Sequence, residues 1–428
     1  MSKNKISNIK GRMVFDSRGK PTIEAEIIVN NKISGSCIAP SGASTGKKEA
    51  LEKRDNKSDF LGESVNQNIL FINTLIKENL IGFDIEDQEG IDNKLIALDN
   101  TLNKSFLGAN TTIAVSMAVL RTAAIANKTP LWTYLNFKSV KKLPLPEVQI
   151  IGGGAHAKGS IPIQDFMIIP NGAPNFYVAL EWVFKVYRKA GEKLLKEKKL
   201  FGVADEGGYW PYFKDIEEVL KFLTETIEQS GLKPLKEVSI SLDIAANNFK
   251  YKDGYKLFRN KKCVDKNIFK KQLLKWIKMY PIISIEDPFA EEDINLFSEF
   301  KLEAPSYLQI VGDDLVVTNA ELIKLAFKKK AINTVLIKPN QIGTISETLN
   351  ALKQAEKLNL YTILSARSGE TEDSFISDLS VGWNIKQLKV GSFSRSERLS
   401  KWNQCLRIGE ELNNNFAMHT QPKLWNKI

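Results

Sequence analysis

Val238-Ser-Ile-Ser-Leu-Asp243, Pro281-Ile-Ile-Ser-Ile-Glu286-Asp287 and Tyr307-Leu-Gln-Ile-Val-Gly-Asp313-Asp314 repeat one pattern, an apolar run that ends in a carboxylate. Each run has the length of a buried strand, and lysine-rich stretches of helical periodicity separate them. Continuous Val/Ile/Leu runs are what parallel strands require when helices cover both faces of a sheet. A residue at the C-terminal end of such a strand faces the loops, where α/β barrels build their sites. Any one of these carboxylates can be read as the cap of the next helix. Three in succession, one βα unit apart, read as ligands for a hard divalent cation.

The rhythm continues downstream, but the strands now end in cations. Asn333-Thr-Val-Leu-Ile runs to Lys338, Leu360-Tyr-Thr-Ile-Leu to Ser365-Ala-Arg367, and Ile385-Lys-Gln-Leu to Lys389. Helical patterns fill 320–330, 344–358 and 371–384. Upstream, strands are expected at 147–151 and 163–169, with a helix over 176–196. Gly152-Gly-Gly-Ala-His156 and Gly202-Val-Ala-Asp-Glu-Gly-Gly208 lie between them. His156 is either structural or catalytic, and the Asp205-Glu206 pair either approaches a ligand or forms an exposed turn. The only other histidine, His419, is expected in a polar tail.

The first part of the chain reads differently. A strand pair is expected at 22–29 and 33–39. The Gly/Ser loop Pro40-Ser-Gly-Ala-Ser-Thr-Gly46 follows, as a lid or a plain connection. From 65 to 134 the pattern is helical, and Ala109–Ala126 is apolar almost all round, as a buried helix is. The organisation expected is an α+β capping domain over 1–135, a linker at 136–142, and a barrel domain over 143–428. A chain of 428 residues accommodates both.

Composition is that of a globular protein, 43% hydrophobic and 26% charged. No run approaches the ~20 apolar residues of a membrane span, and no signal-peptide core opens the chain. The three cysteines show no metal-ligand spacing and suit a reducing cytoplasm. The formal net charge is +10. Its lysines are dispersed over helix faces without interleaved aromatics, which argues against a nucleic-acid partner.

One barrel face would thus carry Asp243, Glu286 and Asp313, opposed by Lys338, Arg367 and Lys389. Carboxylates would hold a metal and cations a substrate anion. A lysine among cations loses proton affinity, so Lys338 could serve as a base; the alternative is that it pairs with a neighbouring carboxylate. The reaction class that fits is proton abstraction beside a carboxylate, followed by elimination or isomerisation.

At this point the chain resembles the enolases over nearly its full length. The matching words include Phe15-Asp-Ser-Arg-Gly-Lys-Pro-Thr22, Pro40-Ser-Gly-Ala-Ser-Thr-Gly46, Gly153-Gly-Ala-His156, Asp205-Glu-Gly-Gly208, Ser284-Ile-Glu-Asp-Pro288, Leu336-Ile-Lys-Pro-Asn-Gln-Ile-Gly343 and Arg367-Ser-Gly-Glu-Thr-Glu-Asp373. The resemblance implies a ββαα(βα)6 barrel behind an α+β capping domain. The implied activity is Mg²⁺-dependent dehydration of 2-phosphoglycerate to phosphoenolpyruvate in glycolysis and gluconeogenesis. It implies two Mg²⁺ ions per site, one held by Asp243, Glu286 and Asp313, the other by Ser44 once the loop closes as a lid. Lys338 would remove the C2 proton, and Glu206 would help the C3 hydroxyl leave. Arg367, Ser368 and Lys389 would hold phosphate and carboxylate. His156, Gln164 and Asp165 would line the pocket. A cytoplasmic homo-oligomer, a dimer or an octamer, is expected.

The chain departs from the family pattern around the pocket. Ala366 stands where a histidine is usual, Asp165 replaces a glutamate, and Val390 replaces a threonine. Gly152 replaces the asparagine before Gly-Gly, and Ala204 the glycine before Asp-Glu. These changes fit a divergent glycolytic enolase. They also fit a paralogue acting on a related phosphorylated or phosphonylated acid, or a catalytically weak binding protein.

Overall fold

The computed structural model describes residues 4–135, 141–158, 161–257, 263–419 and 425. The core of the expected linker therefore lies outside the described residues.

The N-terminal part opens with a meander of three antiparallel strands, β1 (Ile6–Phe15), β2 (Pro21–Val29) and β3 (Ile33–Ile38). The sequence reading anticipated β2 and β3 but missed β1. That strand alternates polar and apolar residues unevenly, and only Ile6 and Ile9 are fully buried, so its periodicity is weak. Helix Ala109–Ala126 packs across β2 and β3. By length and composition this helix would qualify as a membrane span, contrary to the expectation that none would; 83% of it is buried inside the protein. Its apolar surface is thus core.

A second sheet closes into a barrel. Its strands are β4 (Leu145–Gly152), β5 (Asp165–Ile169), β8 (Ser239–Asp243) and five more that follow β8. The hairpin β6 (Leu200–Val203) and β7 (Tyr209–Pro211) hangs from β4. A small sheet of β9 (Lys250–Tyr251), β10 (Gly254–Tyr255) and β11 (Val264–Asp265) follows β8. The barrel then continues with β12 (Ile282–Glu286), β13 (Gln309–Gly312), β14 (Thr334–Ile337), β15 (Tyr361–Ser365) and β16 (Gln387–Gly391). Pairing of β16 with β4 closes the eight-stranded ring. β5 runs antiparallel to both its neighbours, and the other pairs in the ring are parallel.

Helices with apolar inner faces surround the ring. Helix Phe176–Lys196 is capped by Asn175, which accepts from Val178 N, and helix Ile345–Lys357 by Thr344, which accepts from Glu347 N. The two units are bolted by a buried carboxylate. Asp92 of the N-terminal part accepts from Ser116 Oγ at 2.6 Å and from Ser346 N and Oγ at 2.8 and 2.6 Å, at the start of helix Ile345–Lys357.

Two expectations fail. Lys389 does not end its strand but sits in the middle of β16. There it shares a strand face with Gln387, two residues earlier, and its side chain reaches Asp243 and Glu286; the register irregularity against β4 comes after it, between Lys389 and Gly391. His419 is not in an exposed polar tail: it is buried, and its backbone N–H bonds Leu143 O at 2.8 Å. Tertiary contact, not local polarity, decides its environment.

Candidate active site

Carboxylates and cations meet at the C-terminal mouth of the barrel. Asp243 and Glu286 end β8 and β12, Asp313 follows β13 and Lys338 follows β14. All four are buried. Lys389 Nζ lies 2.8 Å from Asp243 Oδ2 and 2.8 Å from Glu286 Oε2. Lys338 Nζ pairs with Asp313 Oδ2.

These pairs set the charge states. Burial lowers Lys389, but Asp243, Glu286 and Asp165 overrule it and hold the ammonium well above its usual range. Burial likewise lowers Lys338, as do Arg367 and Lys389, yet Asp313 and Glu286 together turn the net shift upward. The expectation that neighbouring cations depress Lys338 is thus overturned here, because a carboxylate is its immediate neighbour. Glu286 is raised well above the carboxylate range by burial and by Asp243. Its Oε1 is buried and has no hydrogen-bond partner among the described residues.

The opposite wall is built from β4, β5 and the turn between β6 and β7. His156 Nδ1 lies 2.9 Å from Asp165 Oδ1, and Nε2 lies 3.7 Å from Glu206 Oε1. Burial opposes charge on His156, but Asp165 and Glu206 prevail and lift it to about 9. Burial pushes Asp165 up, but His156 and Lys389 bring it down to about 2. Burial raises Glu206, against the pull of His156. Gln164 Nε2 donates to Asp243 Oδ2 at 3.0 Å.

The Gly/Ser loop lies over this mouth. Ser41 and Gly369 exchange backbone hydrogen bonds of 2.8 Å. A Cβ on Gly42 would stand 2.0 Å from Arg367 Nη2, so only glycine admits the guanidinium there. Arg367 Nη2 donates to Ser44 O at 3.2 Å, and Nη1 to Asn340 Oδ1 at 2.9 Å. The remaining cavity is about 20 Å³, lined by Ser44, His156, Gln164, Asp165, Glu206, Asp243, Lys338, Ala366, Arg367, Ser368 and Lys389 among others. That holds a water but not a phosphorylated three-carbon acid. Glu286 and Asp313 adjoin it through Lys389 and Lys338.

Several members were missed in the sequence. Glu49 bonds Arg367 from the foot of the lid, and Gln341 Nε2 joins Glu49 Oε1 at 3.3 Å to Asp313 Oδ1 at 2.8 Å. Gln149 donates to Asp165 and accepts from Gly208 N. Glu49 follows the lid and Gln341 lies three residues past Lys338, but nothing local marks either one. Among the described residues, two groups converge their ligand atoms to within 4.8 Å, His156/Asp165/Glu206 and Asp287/Asp313/Asp314, and each can coordinate a divalent ion. Asp287 and Asp314 each stand directly after a carboxylate already singled out.

The comparisons agree with this geometry. The enolase N-terminal domain family matches residues 6–135 and the enolase C-terminal TIM barrel domain family residues 140–425. An enolase of Pelagibacter ubique (strain HTCC1062) is 47% identical over 97% of this chain and 99% of its own length. An enolase of Ehrlichia canis (strain Jake) is 45% identical over 96% of this chain and 98% of its own. One of Ehrlichia chaffeensis (strain ATCC CRL-10679 / Arkansas) is 46% identical, over 94% and 96%. On a closed barrel behind an α+β domain, with that likeness along both, the chain belongs to the enolase family, the lyases that dehydrate 2-phosphoglycerate.

Proposed function

We propose that this enolase converts 2-phosphoglycerate to phosphoenolpyruvate with Lys338 as base and Glu206 as acid. The observation that carries the assignment is that both side chains line one small cavity from opposite walls, Lys338 at the end of β14 and Glu206 beside β4. Arg367, Ser368 and Lys389 supply donors for phosphate and carboxylate, and His156, Gln164 and Asp165 complete the wall.

The donor set suits Mg²⁺. Asp243, Glu286 and Asp313 are hard oxygen ligands, Glu286 Oε1 is buried without a partner among the described residues, and the ammonium of Lys389 already answers a demand for positive charge between Asp243 and Glu286. These three would hold one ion and Ser44 of the lid would reach a second. When bound, Mg²⁺ supplies charge stabilisation for the carboxylate as C2 loses its proton.

Each proton then has an assigned group. Lys338, freed from Asp313 and with its own proton released to solvent, takes the C2 proton as the neutral amine. Glu206 gives its proton to the C3 hydroxyl, the C3–O bond breaks, and water leaves as the C2=C3 bond forms. Arg367 and the lid fix the phosphate and exclude solvent. The lid must open to admit substrate, since the closed cavity is too small. We place the units at 1–135 and 143–428 and expect a cytoplasmic homo-oligomer. Family resemblance supports the assembly, and the sparse cysteines support the compartment.

The test follows the ultraviolet absorbance of the enol product with 2-phosphoglycerate and Mg²⁺, for the parent, Lys338→Ala and Glu206→Gln. Each variant is expected to lose about 10³-fold in kcat. If Lys338→Ala kept turnover within tenfold of the parent, the base assignment would fall.

A further inference from the structure

We infer that Gly152 and Ala204 form a size-matched pair that positions Glu206, so that the two departures from the family pattern are one coupled change. The inference rests on Glu206 as the acid of the reaction proposed above. Gly152 is the last residue of β4, and Ala204 opens the turn that carries Glu206. A Cβ on Gly152 would stand 2.5 Å from the Cβ of Ala204. Both residues are buried, Ala204 to 1% exposure.

The contact has no soft side. Carbon atoms settle at about 3.5–4.0 Å, so a side chain at 152 would demand a shift of about 1 Å. An alanine methyl has no rotamer to swing away, so backbone must move. β4 is pinned at this point, since Gly152 pairs with Asp165 of β5 and Gly153 N bonds Gln164 O at 2.7 Å. The turn shares the strain and passes it to its own ties, Asp205 N to His156 O at 3.1 Å and Glu206 O to Ser392 N at 2.8 Å. It moves as a unit: Ala204 N bonds Gly208 O at 2.8 Å, and Gly207 N bonds Ala204 O at 2.9 Å. Glu206 sits between these closures. Its carboxyl already lies at the edge of contact with His156, 3.7 Å away.

Conversely, with glycine at 152, the methyl of Ala204 fills the gap that a side chain there would otherwise fill. Glycine at both positions would leave the turn unsupported. One side chain is needed across the pair, and it can come from either strand end. Gly152 and Ala204 are thus positioning residues that act on the acid step alone. Lys338 lies across the barrel on β14 and is untouched by them.

The experiment is a double-mutant cycle of Gly152→Asn and Ala204→Gly with two readouts on folded, Mg²⁺-loaded protein. One is production of phosphoenolpyruvate. The other is exchange of the C2 hydrogen of 2-phosphoglycerate with solvent deuterium, which needs Lys338 but not loss of the hydroxyl. Gly152→Asn is expected to lower kcat for dehydration about 100-fold, with KM little changed and exchange retained. Adding Ala204→Gly should recover most of that loss. The inference is overturned if the double variant is no better than Gly152→Asn, if Gly152→Asn alone is harmless, or if exchange falls in parallel with dehydration. Should Gly152→Asn not fold, the double variant decides: folding with restored turnover supports the pair, and failure overturns it. Glu206→Gln is the control. If it keeps full dehydration, the acid assignment fails; if it loses dehydration while Gly152→Asn does not, only the pair fails.

Discussion

Arg367 Nη1 lies 3.1 Å from Glu49 Oε2, so a carboxylate at the foot of the lid holds the guanidinium proposed for the substrate's phosphate. Glu49 Oε1 also accepts from Gly46 N at 3.0 Å, which ties the closed loop to the same pair. Both side chains are buried, at 3% and 7% exposure. Breaking such a pair from one side strands the other charge. Glu49→Gln is expected to lower the unfolding free energy by about 3 kcal/mol without ligand. 2-Phosphoglycerate should recover most of that loss by pairing with Arg367. Melting curves with and without ligand check this; a variant as stable as the parent would remove the pair from the account.

Lys389 stands between Asp243 and Glu286 as their cation. Lys389→Met leaves two buried carboxylates facing each other. In chelator the variant should lose about 3–5 kcal/mol of stability. Mg²⁺ should then raise its melting temperature more than it raises that of the parent, because the ion answers a charge the lysine no longer does. Equal increments in parent and variant would show that Asp243 and Glu286 do not bind the ion.

Asp92 accepts from Ser116 Oγ within its own unit and from Ser346 N and Oγ across the seam between the two units. Burial raises its carboxyl, against the hydrogen bonds from Ser116 and Ser346. Asp92→Ala would remove the acceptor of the Ser116 hydroxyl proton and of Ser346 N and Oγ in the first turn of helix Ile345–Lys357. A loss of about 2–3 kcal/mol is expected in denaturant titration. The loss should appear as an earlier transition of the whole chain. No change in midpoint would show that the seam contributes nothing.

Burial and the cations Lys386, Lys142 and Lys141 take His419 down to about 3. Its folded pKa is below the unfolded value near 6.5, so the folded state binds fewer protons there. The stability it contributes is present above about pH 6.5 and is lost as pH falls through the window towards 3. From pH 7 to 5 the parent should lose about 2 kcal/mol through this group. His419→Leu should flatten that slope by the same amount in denaturant midpoints read at both pH values. An unchanged slope would place the proton uptake elsewhere.

The sequence by itself determined the barrel. Runs such as Ile282–Ile285 are mostly β-branched and apolar because both strand faces are covered, and that pattern is local. It also placed Asp243, Glu286, Asp313 and Lys338 at strand ends, since those ends are marked by where the apolar run stops, but it put Lys389 at an end when it lies within β16. β1 escaped because it is mostly half-exposed and its alternation is irregular.

Tertiary structure alone decided which charges meet. Sequence offers Asp243, Glu286 and Lys389 but not the closure of the ring that brings the lysine between them. It offers Glu49 and Arg367, 318 residues apart, with nothing local to join them. Gly152 and Ala204 read as two separate departures until a 2.5 Å approach makes them one. Burial of His419 depends on strands and helices from elsewhere in the chain. Strand and helix type follow from short-range periodicity, whereas charge state, ion pairing and steric fit depend on distances that only closure of the barrel sets.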